Sequence, residues 1–217
     1  MTAMNERILD PLDRFLVGIN DALTTIARPA SRSTRANPAA DLPEADLNSH
    51  EKSHAAGLMR VNHAGEVAAQ GLYQGHAAVS RDPSIEQQMR DAASEELDHL
   101  GWCEQRLDEL DSQPSILSPV WYAGAFAIGA ASGALGDRWA LGFVEETEQQ
   151  VAEHLAGHLQ DLPDADERSR AIVSRMHDEE QAHGENAKAA GAIKLPAPLK
   201  RLMRLTAKIM TQTAYRM

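Results

Sequence analysis

Two stretches decide how this chain is read: Glu95-Glu96-Leu97-Asp98-His99 and Glu179-Glu180-Gln181-Ala182-His183. Each contains Glu-x-x-His. On a helix, positions i and i+3 share a face, so the two side chains point into one volume. One such pair says little, and a third, Glu51-Lys52-Ser53-His54, sits at a polar helix start and reads as coincidence. The spacing to other acids carries more weight. Glu66 precedes Glu96 by 30 residues, and Glu148 precedes Glu180 by 32. The first pair straddles Asp82-Pro83 and the second straddles Leu162-Pro163. At ~1.5 Å per residue, Glu66 and Glu96 both fall about 20–24 Å from their turn, at one height on facing helices. The chain thus reads as two helical hairpins, each offering two carboxylates and one imidazole.

Working outward, helix-period stretches recur near residues 52–80, 84–111, 120–132, 137–161, 165–190 and 197–213, with proline at most of the breaks. Few β-branched or aromatic runs intervene. This predicts an all-α antiparallel four-helix bundle with additional short and C-terminal helices. Residues 4–27 read as a further short helix, with Leu9, Leu12, Leu16, Ile19, Leu23 and Ile26 on one face. Residues 28–48 are rich in Pro, Ser and Ala without a period and read as a flexible linker. The expected division is 1–48 for helix plus linker and 49–217 for the bundle. A single cysteine, Cys103, excludes an intrachain disulfide framework and a four-Cys metal site. No secretory or mitochondrial leader is read in the first 30 residues, which lack an apolar core.

The choice among neighbouring acids follows from their faces. Glu148 continues the apolar stripe Leu141, Val144, Val151, Leu155, whereas Glu146 shares a face with Gln149, Gln150 and Glu153 that reads as solvated. Glu66 lies beside Met59, Ala69 and Tyr73. In each Glu-Glu pair only the second member has His at i+3. An acid inside an apolar stripe requires a partner, because burying an unpaired carboxylate is costly. The candidate ligands are therefore Glu66, Glu96, His99, Glu148, Glu180 and His183. Four carboxylates with two neutral imidazoles match two divalent ions, and oxygen-rich ligation with one imidazole each suits iron or manganese better than structural zinc. His154 and His158 have i,i+4 spacing but no third ligand nearby, and read as surface or supporting groups. His63 reads as a satisfied core histidine, and Cys103 as a small buried apolar side chain. No nucleotide-binding glycine fingerprint follows a strand and no Gly-x-Ser-x-Gly elbow occurs.

The run Leu58-Met59-Arg60-Val61-Asn62-His63-Ala64-Gly65-Glu66, together with both Glu-x-x-His elements and Asp178-Glu179-Glu180, resembles the demethoxyubiquinone hydroxylase family of ubiquinone biosynthesis. The resemblance covers roughly residues 50–217. It implies a ferritin-like di-iron carboxylate fold with two Fe ions per chain and no catalytic side chain beyond the ligands. It further implies Glu66 and His99 mainly on one iron, Glu148 and His183 mainly on the other, and Glu96 and Glu180 bridging. The implied activity is an O2-dependent monooxygenase that hydroxylates the ring of a polyprenylated demethoxybenzoquinol. The implied place is peripheral, on the cytoplasmic side of the inner membrane, among other ubiquinone-biosynthesis proteins.

Charge bears on these expectations. Up to Glu185 the chain holds 14 basic and 32 acidic residues; after it come seven basic residues and no acidic one. An acidic body disfavours nucleic acid as a partner, and a basic tail suits anionic lipid. In 197–213, Leu199, Leu202, Met203, Ile209 and Met210 fall on one arc, opposite Lys200, Arg201, Arg204 and Lys208. Residues 112–136 carry no charge, but prolines and the Ala/Gly content argue against a transmembrane helix. With the peripheral place that the resemblance implies, the apolar stretch 116–135 and the basic helix 197–213 are expected membrane contacts, and an apolar stretch of this size would equally suit a homo-oligomer. Two other readings stay open: a ferritin-like ferroxidase, and a non-enzymatic membrane-peripheral helical adaptor.

Overall fold

The computed structural model describes residues 33–217 together with Asn20, Ala22 and Thr25. Those three are helical; the rest of the helix expected over 4–27 lies outside the described residues. Six helices follow: α1 (Ser49–Val79), α2 (Pro83–Glu109), α3 (Ser118–Ala134), α4 (Asp137–Asp161), α5 (Glu167–Ala189) and α6 (Ala197–Ala214). No strand occurs among the described residues. The expected helices lie within about three residues of these at every end, because the breaks are written in local chemistry. Asn48 and Glu51 form a reciprocal capping box at the start of α1. This is the role of Glu51, well away from the other acids, while His54 bonds the Tyr215 hydroxyl and the Asp161 carbonyl. Asp82 caps α2 with proline in its first turn, and Asp166 caps α5.

Helices α1 and α2 form one hairpin and α4 and α5 the other, and α1 meets α4 while α2 meets α5. That is the expected four-helix bundle. Its core has three layers. One apolar cluster joins Leu58, Met59, Trp102, Cys103, Leu107, Leu155, Ile172 and Met176. A second joins Leu72, Tyr73, Met89, Leu141, Val144 and Ala187. On every one of the four helices the buried acids fall between these two sets.

Helix α3 is the uncharged segment, and it lies along α1 rather than completing the bundle. The approach is backbone on backbone. A Cβ placed on Gly75 would lie 2.2 Å from the Phe126 carbonyl oxygen, and one on Gly129 would lie 2.2 Å from that of Leu72. The far face of this region leaves Ile116, Val120, Ile128 and Leu135 exposed. No helix among the described residues is long and apolar enough to cross a membrane.

Three expectations need correction. Glu146 is not solvated: it is 1% exposed and pairs with Lys200 and Arg204, because α6 docks over the outer face of α4. Packed on both α1 and α4, α6 also has its apolar arc split. Leu199, Met203 and Met210 turn towards the bundle, while Leu202, Leu205 and Ile209 stay exposed. The described part of the expected linker, 33–48, is irregular but bonded along its length. Asn37 donates to Gln105, the Leu42 carbonyl accepts from Arg168, and Glu44 pairs with Arg106, whose side chain is wholly buried.

The glycine contact yields a test. Gly75→Ala or Gly129→Ala drives a methyl into backbone that no rotamer change relieves. Either should cost about 1–3 kcal/mol, seen as a lower urea midpoint with α-helical circular dichroism retained. Gly65→Ala, where nothing lies within 4 Å, should be neutral or stabilising.

Candidate metal centre

All six candidate ligands reach the middle layer, and each is buried. Helix α1 supplies Glu66, α2 supplies Glu96 and His99, α4 supplies Glu148, and α5 supplies Glu180 and His183. Ligand atoms of Glu66, Glu96, His99 and Glu180 all lie within 4.8 Å of one another. His99 Nδ1 stands 2.7 Å from Glu96 Oε2, 3.1 Å from Glu180 Oε1 and 3.7 Å from Glu66 Oε2. His183 Nδ1 stands 2.9 Å from Glu96 Oε1 and 3.3 Å from Glu180 Oε2. Glu96 and Glu180 therefore each touch both imidazoles. Glu148 accepts a 2.7 Å hydrogen bond from the Tyr73 hydroxyl.

Both imidazoles present Nδ1 to the acids and turn Nε2 outward. His99 Nε2 donates to Glu179 Oε2 at 2.6 Å, and His183 Nε2 donates to Glu95 Oε2 at 2.8 Å. The first glutamate of each Glu-Glu-x-x-His element thus holds the histidine of the other element. Sequence reasoning passed over Glu95 and Glu179, since neither has His at i+3. Their signal was the doubling itself, Glu-Glu in both elements.

The electrostatics follow from too many acids in a small dry volume. Burial, reinforced by Glu180 and Glu96, pushes the Glu66 carboxyl well above the usual range. The same causes raise Glu148. Burial also opposes charge on Glu96 and Glu180, but the two imidazoles outweigh it and both are lowered. Burial disfavours imidazolium, yet the surrounding carboxylates raise His99 well above its ordinary value and push His183 up to about 12. Glu179, despite partial burial, is drawn down to about 2 by its bonds to His99 and Arg35. Burial and mutual repulsion thus favour the neutral form of Glu66 and Glu148, while the carboxylates favour the charged form of both imidazoles.

Several of these atoms lack a properly directed hydrogen bond despite short separations: both oxygens of Glu96, His99 Nδ1, Glu148 Oε2 and Glu180 Oε1. Buried polar atoms ordinarily find partners. Hard oxygen donors with imidazole nitrogens, aimed at one volume, suit a divalent first-row metal. This cluster could bind metal. Beside it lies a cavity of about 400 Å³ bordered by Tyr73, Met89, Glu95, Val144 and His183.

The remaining candidates fall elsewhere. His63 is buried as expected of a core histidine, and neither ring nitrogen finds a partner among the described residues. Burial lowers it to about 4. His158 is buried rather than on the surface, its ring centroid 3.9 Å from that of His154. Burial, with His154 and His54 nearby, lowers it to about 3. Cys103 is buried, with its thiol 3.7 Å from the Met176 sulfur.

Fold and site together define a helical-bundle protein whose core carries a carboxylate–imidazole cluster able to ligate metal. The family model described as "Ubiquinone biosynthesis protein COQ7" matches residues 53–214, and the chain belongs to that family. It is similar to a protein of Ralstonia pickettii named 3-demethoxyubiquinol 3-hydroxylase, 54% identical over 94% of this chain and 99% of the relative. Proteins of the same name from Chromobacterium violaceum and Xanthomonas oryzae pv. oryzae are each 53% identical. They cover 94% and 97% of this chain, and 99% and 97% of their own lengths.

His158 lies away from the cluster and gives a pH test free of metal. A histidine held neutral in the fold contributes stability present above its unfolded pKa near 6.5 and lost as pH falls towards about 3. His158→Leu should remove that dependence. The stability difference between wild type and variant should change by about 1.4 kcal/mol per pH unit below pH 6.5, read from urea melts at several pH values.

Proposed function

We propose that this chain is an O2-dependent hydroxylase acting on the ring of a polyprenylated demethoxyubiquinol. Glu66, Glu96, His99, Glu148, Glu180 and His183 would hold two iron ions. The observation that carries the reading is the convergence of these buried donors on one layer, with Glu96 and Glu180 each beside both imidazoles. Four carboxylates with two neutral imidazoles would bring four negative charges, which two divalent cations cancel. The relatives' names supply the substrate class. Bound iron supplies O2 activation at open coordination positions.

The chain's own groups do the rest. Glu96 and Glu180, each beside both imidazoles, would be available to both ions, while Glu66 with His99 and Glu148 with His183 would hold one ion each. Glu95 and Glu179 keep Nδ1 of each imidazole turned inward. Tyr73 holds Glu148 by its hydroxyl at the edge of the cavity. The cavity is of a size suited to an aromatic ring, and Met89 and Val144 give it apolar walls. The two apolar core layers exclude water from the centre.

The test is iron content and Mössbauer spectra of anaerobically loaded protein, with quinol hydroxylation assayed in parallel. About two irons per chain in a coupled diferric pair after oxygen is the expected result. Glu180→Ala should lose both the pairing and the hydroxylation while keeping its helical circular dichroism; hydroxylation retained in that variant rejects the assignment. Anaerobic loading at pH 7 should also release protons from the side chains that take the metal, and apparent affinity should rise with pH.

A substrate with a long isoprenoid tail requires access to lipid, and we place the protein peripherally on the cytoplasmic side of the inner membrane. The exposed Leu202, Leu205 and Ile209 on α6, flanked by Arg201, Arg204 and Lys208, support this reading. Replacing Leu202, Leu205 and Ile209 together by Ser should lower binding to vesicles containing anionic phospholipid at least tenfold, with the melting temperature little changed. Equal binding by wild type and variant rejects α6 as the contact.

A further inference from the structure

The two halves of the centre match in sequence but not in support. Glu95, which holds His183, is 55% exposed, whereas Glu179, which holds His99, is 15% exposed. The difference is made by the segment ahead of α1. The Arg35 guanidinium reaches Glu179 Oε1 at 2.7 Å through Nη1 and pairs with Asp98 through Nε. The backbone N–H groups of Thr34 and Arg35 donate to Asp98 Oδ1 at 2.6 and 3.3 Å, which fixes the segment at this point. The guanidinium also lies 4.9 Å from the Trp102 ring centroid, and Trp102 packs on His99 at 5.4 Å.

We propose that Arg35 is a positioning residue of the metal centre, acting on His99 through Glu179. The proposal rests on the reading of His99 as a metal ligand. One carboxylate spans the gap: Glu179 Oε1 faces Arg35 and Oε2 faces His99 Nε2. Fixing Oε1 fixes the direction in which Oε2 accepts, and with it the tautomer and tilt of the imidazole. Arg175 also reaches Oε1, but it is an exposed i,i+4 partner on the same helix and contributes little. Arginine suits the place because its rigid planar fork serves two carboxylates and an aromatic face at once, which a lysine ammonium does not. The segment 33–48 is thereby part of the centre, and it makes the two ends unequal. The His99 end is clamped, while the His183 end opens on the cavity of about 400 Å³.

The test uses the full chain titrated anaerobically with Co(II), reading affinity and the visible ligand-field spectrum. Arg35→Ala should weaken cobalt binding about tenfold, the lower edge of what outer partners of metal-bound histidine contribute, and should alter the spectrum. Arg35→Lys should recover only part of either. Glu179→Gln should produce the same spectral change, and the double variant should add nothing to it, since both act along one path. Glu44→Gln, which loosens the segment at Arg106 and Arg168 without touching the centre, should lower stability and leave the spectrum unchanged. An unchanged Arg35→Ala spectrum, additive Arg35 and Glu179 effects, or the same shift from Glu44→Gln overturns the proposal. Failure of the wild-type chain to bind cobalt overturns instead the reading of the six residues as ligands. Should Arg35→Ala fail to fold, Glu179→Gln and Arg35→Lys carry the comparison.

Discussion

Four carboxylates share one dry layer with two imidazoles, and the rest of the structure is arranged around the cost of that. An isolated buried carboxylate in such a place is prohibitive. Here burial and neighbouring acids push two of the carboxyls towards the neutral form, and the imidazoles draw the other two towards the charged form. The apolar clusters above and below bind the four helices together on either side of this layer. They supply the stability that the middle layer does not, and they fix the helix positions on which the ligand geometry depends.

Around that layer a second set of bonds runs crosswise. Glu95 and Glu179 each leave their own element to hold the histidine of the other. Helices α2 and α5, which otherwise meet only lightly, are tied at the height of the cluster by bonds that also orient its two histidines. Farther out, the wholly buried Arg106 joins Glu44, Glu109 and Asp166, so the irregular N-terminal segment, α2 and the start of α5 close on one guanidinium. The same segment carries Arg35 to Glu179. A stretch without regular secondary structure is thus fixed to the bundle where its charges meet buried partners.

The outer helices depend on different physics. Helix α3 has no charge to pair and binds α1 by close backbone approach, which only glycine at the crossing permits. Helix α6 docks through Lys200 and Arg204 on the buried Glu146 and by half of its apolar arc, leaving the other half exposed. An apolar face left exposed beside basic residues is what a lipid-facing helix requires, and neither α3 nor α6 contributes a group to the metal layer.

The all-α bundle, its helix ends and the six groups of the middle layer were legible in the sequence. Helical periodicity, capping residues and the doubled spacing of Glu and Glu-x-x-His are local or evenly repeated signals. Which face of a helix a later element would cover was not legible. Glu146 reads as solvated until α6 packs on it, and the arc of α6 reads as one face until the bundle takes half. The roles of Glu95, Glu179 and Arg35 depend on contacts spanning 80 residues or more, 88 between Glu95 and His183 and 144 between Arg35 and Glu179. Periodicity says that a side chain leaves a helix on a given side. Only the packed tertiary structure decides what charge it meets there, because that partner comes from a distant part of the chain brought near by burial of the apolar layers.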